Sequence, residues 1–168
     1  MDIIQEILKL KKERNAVIMA HNYTLGEVQD IADYCGDSLE LARIAAKCNA
    51  EVIVLCGVRF MAETAKILSP AATVLHPAVD SGCPMADMAD PEEVKKFKAD
   101  NPDTLLIAYV NTTAATKSEV DICCTSGNAE KIVSARPAGQ KVMFLPDANL
   151  GGNLIKKLDR PMELWHGC

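Results

Sequence analysis

Apolar runs of four to six residues alternate with amphipathic stretches along the whole chain. In the first half the apolar runs have strand length, and the stretches between them carry apolar residues at helical spacing. Asp37 is positioned to cap a helix, Gly36 to end one, and Pro70 to stop another. The pattern predicts helices over 3–10, 26–34, 38–48 and 60–68, and strands over 16–20, 52–55 and 73–76.

The second half follows the same alternation. It opens on Asp90-Pro91-Glu92-Glu93, which is typical of a helix start, with an N-cap, a proline at the first position and a glutamate at the third. The pattern predicts strands over 105–110, 141–145 and 162–165, helices over 126–135 and 154–158, and a loop over 147–152. Strands alternating with helices of about ten residues favour parallel sheets with right-handed crossovers. We therefore expect an α/β protein.

The two halves also match residue by residue. Ala20-His21 recurs as Ala108-Tyr109 and Ser38 recurs as Ser126, in both cases 88 positions later. This period is too long for a solenoid unit and long enough for a small α/β domain. The sequence thus predicts two similar three-layer αβα domains, at residues 1–85 and 86–168. The residues that recur include polar side chains at predicted strand ends, where open α/β sheets bind ligands.

Composition narrows the class of protein. The 168 residues are 49% hydrophobic and 24% charged, which is typical of a globular protein. The net charge of −5 does not indicate a basic surface for nucleic acid. No apolar run approaches a membrane span, and an acid at Asp2 does not fit a signal peptide, so we expect a cytoplasmic protein. Seven cysteines, an odd number, are expected to be free thiols. Most of them, including Cys48 and Cys56, are expected to be buried in the packing.

Two serines are candidates for anion binding. Ser38 and Ser126 each fall at a predicted helix N-terminus, where free backbone N–H groups and the helix dipole favour a carboxylate or phosphate. The alternative is that both serines are simple helix caps. Their equivalent places in the repeat weigh toward a shared ligand.

The predicted strand ends supply groups that can exchange protons. His21, Asn22 and Tyr23 end the first strand, and Tyr109 and Asn111 end its counterpart. Histidine acts as an acid or a base near neutral pH. The alternative is that loop backbone satisfies these groups, which suits Asn22 better than His21.

Two cysteines close the two halves. Cys83 and Cys168 lie 85 residues apart, which excludes zinc-finger spacing. Cysteines at corresponding ends of two domains could meet at a pseudo-symmetry axis, and cysteine-only ligation there would suit an iron–sulfur cluster. A buried loop cysteine is the alternative for each. His76 and His166 flank these cysteines and are expected to be structural.

These segments together resemble the quinolinate synthase family over the whole length of the chain. The resemblance is carried by Ala20-His21-Asn22-Tyr23, Glu27–Asp33, Gly36-Asp37-Ser38, Phe60–Ala65, Gly82–Ala86, Tyr109–Thr112, Cys124-Thr125-Ser126 and Pro146–Gly151. It implies three similar α/β domains around a central [4Fe–4S] cluster, held by one cysteine from each domain. The activity implied is condensation of iminoaspartate with dihydroxyacetone phosphate to quinolinate, in NAD biosynthesis.

The resemblance also implies roles for individual residues. Cys83 and Cys168 match the first two cluster ligands. The substrate-binding positions of the family match His21, Ser38, Tyr109, Asn111 and Ser126. An active-site tyrosine of the family matches Tyr23. The implied catalytic residues are therefore His21, Tyr23 and Tyr109. An aspartate oxidase or dehydrogenase is the implied supplier of iminoaspartate, and neither nucleic acid nor membrane is expected as a partner.

The chain departs from the family in length. Family members continue past the second cysteine into a third domain, which carries the third cluster ligand and a glutamate expected to act as base. We therefore expect an amino-terminal fragment that is inactive alone. Two alternatives stay open: another [4Fe–4S] hydro-lyase, and a non-catalytic thiol- or metal-binding module. An enzyme needs His21, both serines and the cysteines in one site, whereas a module needs only the cysteines.

Overall fold

The computed structural model describes residues 2–166, and they form two compact units that divide between Gly82 and Cys83. The first unit contains a four-stranded, fully parallel sheet in the order β2-β1-β3-β4. Its elements are α1 (Ile3–Glu13), β1 (Ala16–His21), α2 (Gly26–Asp30), β2 (Tyr34–Gly36), α3 (Ser38–Ala45), β3 (Val52–Cys56), α4 (Arg59–Leu68) and β4 (Thr73–Leu75).

The second unit repeats this topology, with strand order β6-β5-β7-β8 and all pairs parallel. Its elements are α5 (Pro91–Asp100), β5 (Leu105–Tyr109), α6 (Ala114–Glu119), β6 (Ile122–Cys124), α7 (Ala129–Ser134), β7 (Val142–Leu145), α8 (Ala148–Leu158) and β8 (Glu163–Leu164). The 88-residue offset holds at the level of register, since Met19 pairs with Tyr34 and Ile107 with Ile122. The predicted α/β architecture with two similar parallel sheets is confirmed.

The central strands are buried because parallel sheets are covered on both faces. All four residues of β7 are buried, and Phe144 and Leu145 are fully enclosed. In the first unit Met19, Ala20 and Ile53 are equally inaccessible. Burial of one large apolar side chain such as Phe144 contributes about 1.5–3 kcal/mol, so these strands supply much of the stabilisation of each unit.

Two helix starts follow the predicted capping. Asp37 accepts hydrogen bonds from the backbone N–H groups of Leu39 and Glu40 at 2.9 and 2.8 Å. Asp90 accepts from Glu92 and Glu93 at 2.9 and 3.2 Å, with Pro91 at the first helical position. None of the helices within residues 2–166 is long and apolar enough to span a membrane.

Other predicted bounds are wrong. The helix expected over 26–34 ends at Asp30, because the chain turns into the sheet at Asp33, whose N–H donates to the Ile18 carbonyl at 2.8 Å. The three-residue strands β2 and β6 and the helix α6 were not expected from the pattern. The loop expected over 147–152 is the first part of α8, which Asp147 caps through the N–H groups of Asn149 and Leu150.

Candidate functional site

In the first unit, two rings stack where β1 ends. The centroids of His21 and Tyr23 are 3.9 Å apart and their planes make an angle of 26°. The Tyr23 backbone N–H donates to Nδ1 of His21 at 3.3 Å. Nδ1 is therefore the acceptor, and the proton of the neutral imidazole lies on Nε2. The strand end thus offers Nε2–H as a donor.

Burial and one carboxylate act on this histidine in opposite directions. Burial lowers the pKa of His21, while the charge of Asp37 raises it, and the net change is downward from the usual value of 6.5. His21 is therefore neutral at pH 7. In this tautomer the neutral imidazole can donate a hydrogen bond to a substrate through Nε2–H.

The Tyr23 hydroxyl lies at the start of the next helix. It accepts a hydrogen bond from the Val58 N–H at 2.8 Å and donates to Sδ of Met61 at 3.8 Å. Val58 is the N-cap residue of α4, which has no side-chain cap of its own. A Cβ at Gly57 would lie 3.3 Å from the hydroxyl oxygen, so the glycine leaves room for this contact. Tyr23 thereby connects the ends of β1 and β3.

Ser38 is the first residue of α3, and the capping residue is Asp37. The interpretation of Ser38 as a simple cap is therefore wrong. Among the described residues its hydroxyl has no hydrogen-bond partner, although the side chain is only partly exposed. Asp37 already accepts from the Leu39 and Glu40 N–H groups, so the free hydroxyl of Ser38 is the donor that this helix start offers to a carboxylate or phosphate.

In the second unit, Tyr109 ends β5 and pairs in register with Cys124, the last residue of β6. Burial raises the pKa of Tyr109 above its usual 10.0, and the charges of Asp147, Cys124 and Cys83 raise it further. The phenol is therefore protonated at neutral pH and can donate a hydrogen bond or a proton. These four groups form the polar end of the second sheet.

Ser126 does not lie at a helix N-terminus as predicted. The helix α7 begins at Ala129, with Asn128 at the N-cap position, and Ser126 lies in the preceding turn. Asn128 closes that turn by accepting from the Thr125 backbone N–H at 2.7 Å. Ser126 is exposed, and its hydroxyl has no partner among the described residues. The helix-dipole argument for anion binding therefore applies to Ser38 alone.

Asn111 follows Tyr109 by two residues and is partly exposed. The Val110 N–H donates to the Cys124 carbonyl at 2.7 Å, which continues the sheet pairing one residue past the strand. Thr112 is fully buried and donates through its hydroxyl to the Tyr109 carbonyl at 3.3 Å. This short turn holds Asn111 beside the end of β5.

The cysteines are more exposed than expected. Of the six described, all free, only Cys124 is buried, and burial together with Cys123 raises its pKa to about 12. Cys35 and Cys123 are exposed on the edge strands, whereas Cys48 and Cys56 are half-buried.

The candidate cluster ligands are described only in part. Cys83 is half-buried and free, and its carbonyl accepts from the N–H groups of Ala86 and Asp87 at 2.8 and 3.2 Å. Cys168 lies outside the described residues, and so does its predicted approach to Cys83. Within residues 2–166 no three His, Cys, Asp or Glu side chains are grouped closely enough to hold a metal ion. A free, accessible thiol in a hydrogen-bonded turn does fit a single cluster ligand.

Asp147 and Ser81 were missed from the sequence, whereas His76 was expected to be structural and its backbone contact agrees with that role. His76 Nε2 lies 2.8 Å from the Gly57 carbonyl, and the Ser81 hydroxyl donates to the same oxygen at 2.6 Å. Asp147 acts on Tyr109 from the end of β7. The strand-end rule that selected His21 would have found Asp147 as well. His166 is exposed and stacks on Trp165, consistent with a structural role.

Fold and strand-end chemistry together define an α/β protein with polar groups at the carboxyl ends of two parallel sheets, the usual location of small-molecule sites. The sequence model of the family described as "Quinolinate synthetase A protein" matches residues 5–168, so the chain belongs to that family. It is 53% identical to the quinolinate synthase of Chloroherpeton thalassium over 167 residues, 99% of this chain and 52% of the relative. The quinolinate synthases of Sulfurihydrogenibium sp. and Aquifex aeolicus are each 52% identical over 167 residues, covering 54% and 52% of their lengths and 99% of this chain. The chain spans about half the length of the curated relatives it matches.

Proposed function

We propose that this chain forms two domains of a quinolinate synthase that condenses iminoaspartate with dihydroxyacetone phosphate. The observation that carries the proposal is that each unit has a proton-exchanging group at the equivalent strand end. His21 ends β1 as a neutral imidazole, and Tyr109 ends β5 as a protonated phenol. A condensation with loss of water and phosphate needs groups that donate hydrogen bonds and protons to the leaving oxygens.

His21 donates a hydrogen bond to the substrate from Nε2–H in this scheme, and Tyr109 donates a proton from its phenolic oxygen. Tyr23 keeps the imidazole in place by stacking and by its N–H bond to Nδ1. Asp147 favours the protonated phenol because a second negative charge nearby is unfavourable. The two groups are thus held in the protonation states that their roles require near neutral pH.

The substrate contacts follow from the free donors. The Ser38 hydroxyl, at the first position of α3, binds a substrate carboxylate. At the end of the second sheet, Ser126 offers an exposed hydroxyl and Asn111 offers a partly exposed amide. Small acidic substrates need several such donors, since each carboxylate accepts up to four hydrogen bonds.

A [4Fe–4S] cluster is the proposed cofactor, with Cys83 and Cys168 as two of its ligands. The free, half-buried thiol of Cys83 supports this assignment. When bound, such a cluster with one open iron supplies a Lewis acid for a leaving hydroxyl. The proposal includes an aspartate-oxidising enzyme as the source of iminoaspartate, and a cytoplasmic location, where free thiols persist.

The test is an anaerobic assay of the full-length gene product with iminoaspartate and dihydroxyacetone phosphate, with quinolinate measured as product. We expect turnover, a loss of at least about a hundredfold in His21→Ala and in Tyr109→Phe, and no turnover from residues 1–168 alone. The matched control is His166→Ala, an exposed histidine outside the site. A full-length protein that binds iron but makes no quinolinate would instead favour a metal-binding module.

A further inference from the structure

A lysine, an aspartate and a strand backbone form the same set of contacts in each unit. We propose that these two clamps, Lys11–Asp33 and Lys98–Asp121, are positioning devices that set where Ser38 and Ser126 lie at the ends of their sheets. The inference rests on the proposed function, because it assigns the serines to substrate carboxylates. Asp33 and Asp121 are positioning residues that act through the serines.

In the first unit the clamp uses both carboxylate oxygens of Asp33. Oδ2 accepts from the Ile18 backbone N–H at 2.8 Å, and Oδ1 accepts from Nζ of Lys11 at 2.7 Å. The Asp33 N–H in turn donates to the Ile18 carbonyl at 2.8 Å. Residue 33 therefore binds both backbone groups of Ile18, directly before β2 begins at Tyr34.

The second unit repeats these contacts, 88 positions later for the aspartate and the strand residue and 87 positions later for the lysine. Oδ2 of Asp121 accepts from the Leu106 N–H at 2.9 Å, and Oδ1 accepts from Nζ of Lys98 at 2.8 Å. The Asp121 N–H donates to the Leu106 carbonyl at 3.1 Å. Nζ of Lys98 also donates to the Glu119 carbonyl at 3.0 Å. Asp121 directly precedes β6, as Asp33 precedes β2.

The strands that follow are too short to fix their own register. Each has three residues and lies at a sheet edge, paired only with the central strand. A slip of one residue would reverse the facing of every side chain on such a strand. The two backbone contacts of the aspartate extend the pairing, and the lysine holds the carboxylate in position. The fifth residue after each aspartate is the serine, Ser38 or Ser126.

Stability alone does not account for this repeated arrangement. The side chains of Lys11 and Asp33 remain 21% and 30% exposed, and those of Lys98 and Asp121 remain 40% and 32% exposed. Ion pairs at such partly exposed sites contribute little to the free energy of folding. In both clamps the carboxylate also binds strand backbone, whereas the exposed pair Lys96–Asp100 has no such bond. Charge-assisted bonds of this kind are short and directional, which suits a fixed register.

The test measures binding of malate, a stable four-carbon dicarboxylate, to the full-length gene product by calorimetry. The variants are Asp33→Ala, Asp33→Asn, Asp121→Ala and Asp121→Asn, with Ser38→Ala and Ser126→Ala as site references. Asp100→Asn, which breaks an exposed Lys–Asp pair with no backbone bond, is the matched control. Circular dichroism verifies that each variant is folded at the assay temperature.

We expect Asp33→Ala and Asp121→Ala to bind malate about ten-fold more weakly. A serine hydroxyl that is displaced by a small part of its hydrogen-bond length binds a carboxylate less tightly. The asparagine variants keep an oxygen for the strand N–H, so they should recover most of the affinity. A purely structural role would lower the melting temperature without this order of affinities. Amide exchange should accelerate over residues 34–38 in Asp33→Ala and stay unchanged over 52–56.

Two results overturn the inference in different ways. If Ser38→Ala and Ser126→Ala weaken binding while folded Asp33→Ala and Asp121→Ala bind as the unaltered protein does, the clamps do not position the serines. If neither serine variant changes binding, the assignment of the serines to substrate fails, and this inference fails with it. Where an alanine variant does not fold, Lys11→Met and Lys98→Met replace it, with weaker malate binding expected.

Discussion

The Tyr23 hydroxyl accepts a hydrogen bond from the Val58 backbone N–H at 2.8 Å, although the tyrosine itself is 56% exposed. This bond satisfies one of the free N–H groups at the start of α4, which has no side-chain cap. The same residue stacks on His21. One side chain therefore stabilises a helix start and orients the His21 ring.

Tyr23→Phe keeps the ring and removes the hydroxyl, so the Val58 N–H loses its partner. We expect a loss of about 0.5–1.5 kcal/mol in the free energy of unfolding, measured by urea denaturation. Tyr34→Phe is the matched control, since the Tyr34 hydroxyl has no hydrogen bond among the described residues. Equal stability of the two variants would mean that water replaces the Tyr23 hydroxyl without cost.

Asp37→Asn tests the electrostatic control of His21. Asparagine still caps α3 but carries no charge. Because burial already lowers the pKa of His21 and Asp37 raises it, removal of the charge should lower the pKa further. The measurement is an NMR titration of the His21 ring protons. Asp2→Asn, at the cap of α1, should leave the titration unchanged. A rise in the His21 pKa in Asp37→Asn would contradict this account.

The long strands and the capped helices could be predicted from the sequence because their signals are local. Asp37 and Asp90 are followed within three residues by the N–H groups that they bind. The buried strands appear as unbroken apolar runs such as Val142–Leu145. These features depend on residues that are close together in the sequence, so they can be predicted without knowledge of the fold.

Features fixed by distant contacts could not be predicted in this way. The strands β2 and β6 are set by aspartates that bind backbone 15 residues earlier, and a three-residue strand has no pattern of its own. Gly151-Gly152 favours a loop by local propensity, yet α8 continues through both residues. Ser126 was predicted at a helix start because the bond between Asn128 and Thr125, which delays α7, is not evident from spacing.

Gly151 and Gly152 differ in the space around them, which gives a matched pair of variants. A Cβ at Gly151 would clash with Cδ2 of Leu164 and lie 3.1 Å from Cδ1 of Phe144, whereas one at Gly152 would have its nearest neighbour, Cδ1 of Leu164, at 4.0 Å. Gly152→Ala should raise the free energy of unfolding by up to about 1 kcal/mol, the gain in helix propensity. Gly151→Ala must displace Leu164 against the fully buried Phe144, so it should lose that gain and be destabilising.

Urea denaturation of the two variants measures this difference directly. Both substitutions remove the same backbone freedom from the same helix, so the effect of the unfolded state cancels in the comparison. If Gly151→Ala proved as stable as Gly152→Ala, Leu164 would have an alternative rotamer that costs nothing. The close packing of α8 on β8 would then not be the reason for a glycine at this position.

The last prediction concerns the proton of Tyr109. Burial and the charges of Asp147, Cys124 and Cys83 raise its pKa above 10.0, so folding favours the protonated phenol. The stabilisation is present in full below pH 10 and is lost as the pH rises through the raised pKa of the folded protein. When tyrosinate absorbance is followed as the pH is raised, the change that is missing in Tyr109→Phe belongs to Tyr109. The midpoint of that change should therefore lie above pH 10.0. Asp147→Asn keeps the cap of α8 and removes the charge, so this midpoint should fall. Asp90→Asn, at the cap of α5, should leave it unchanged, and an equal fall in both variants would exclude a specific effect of Asp147 on Tyr109.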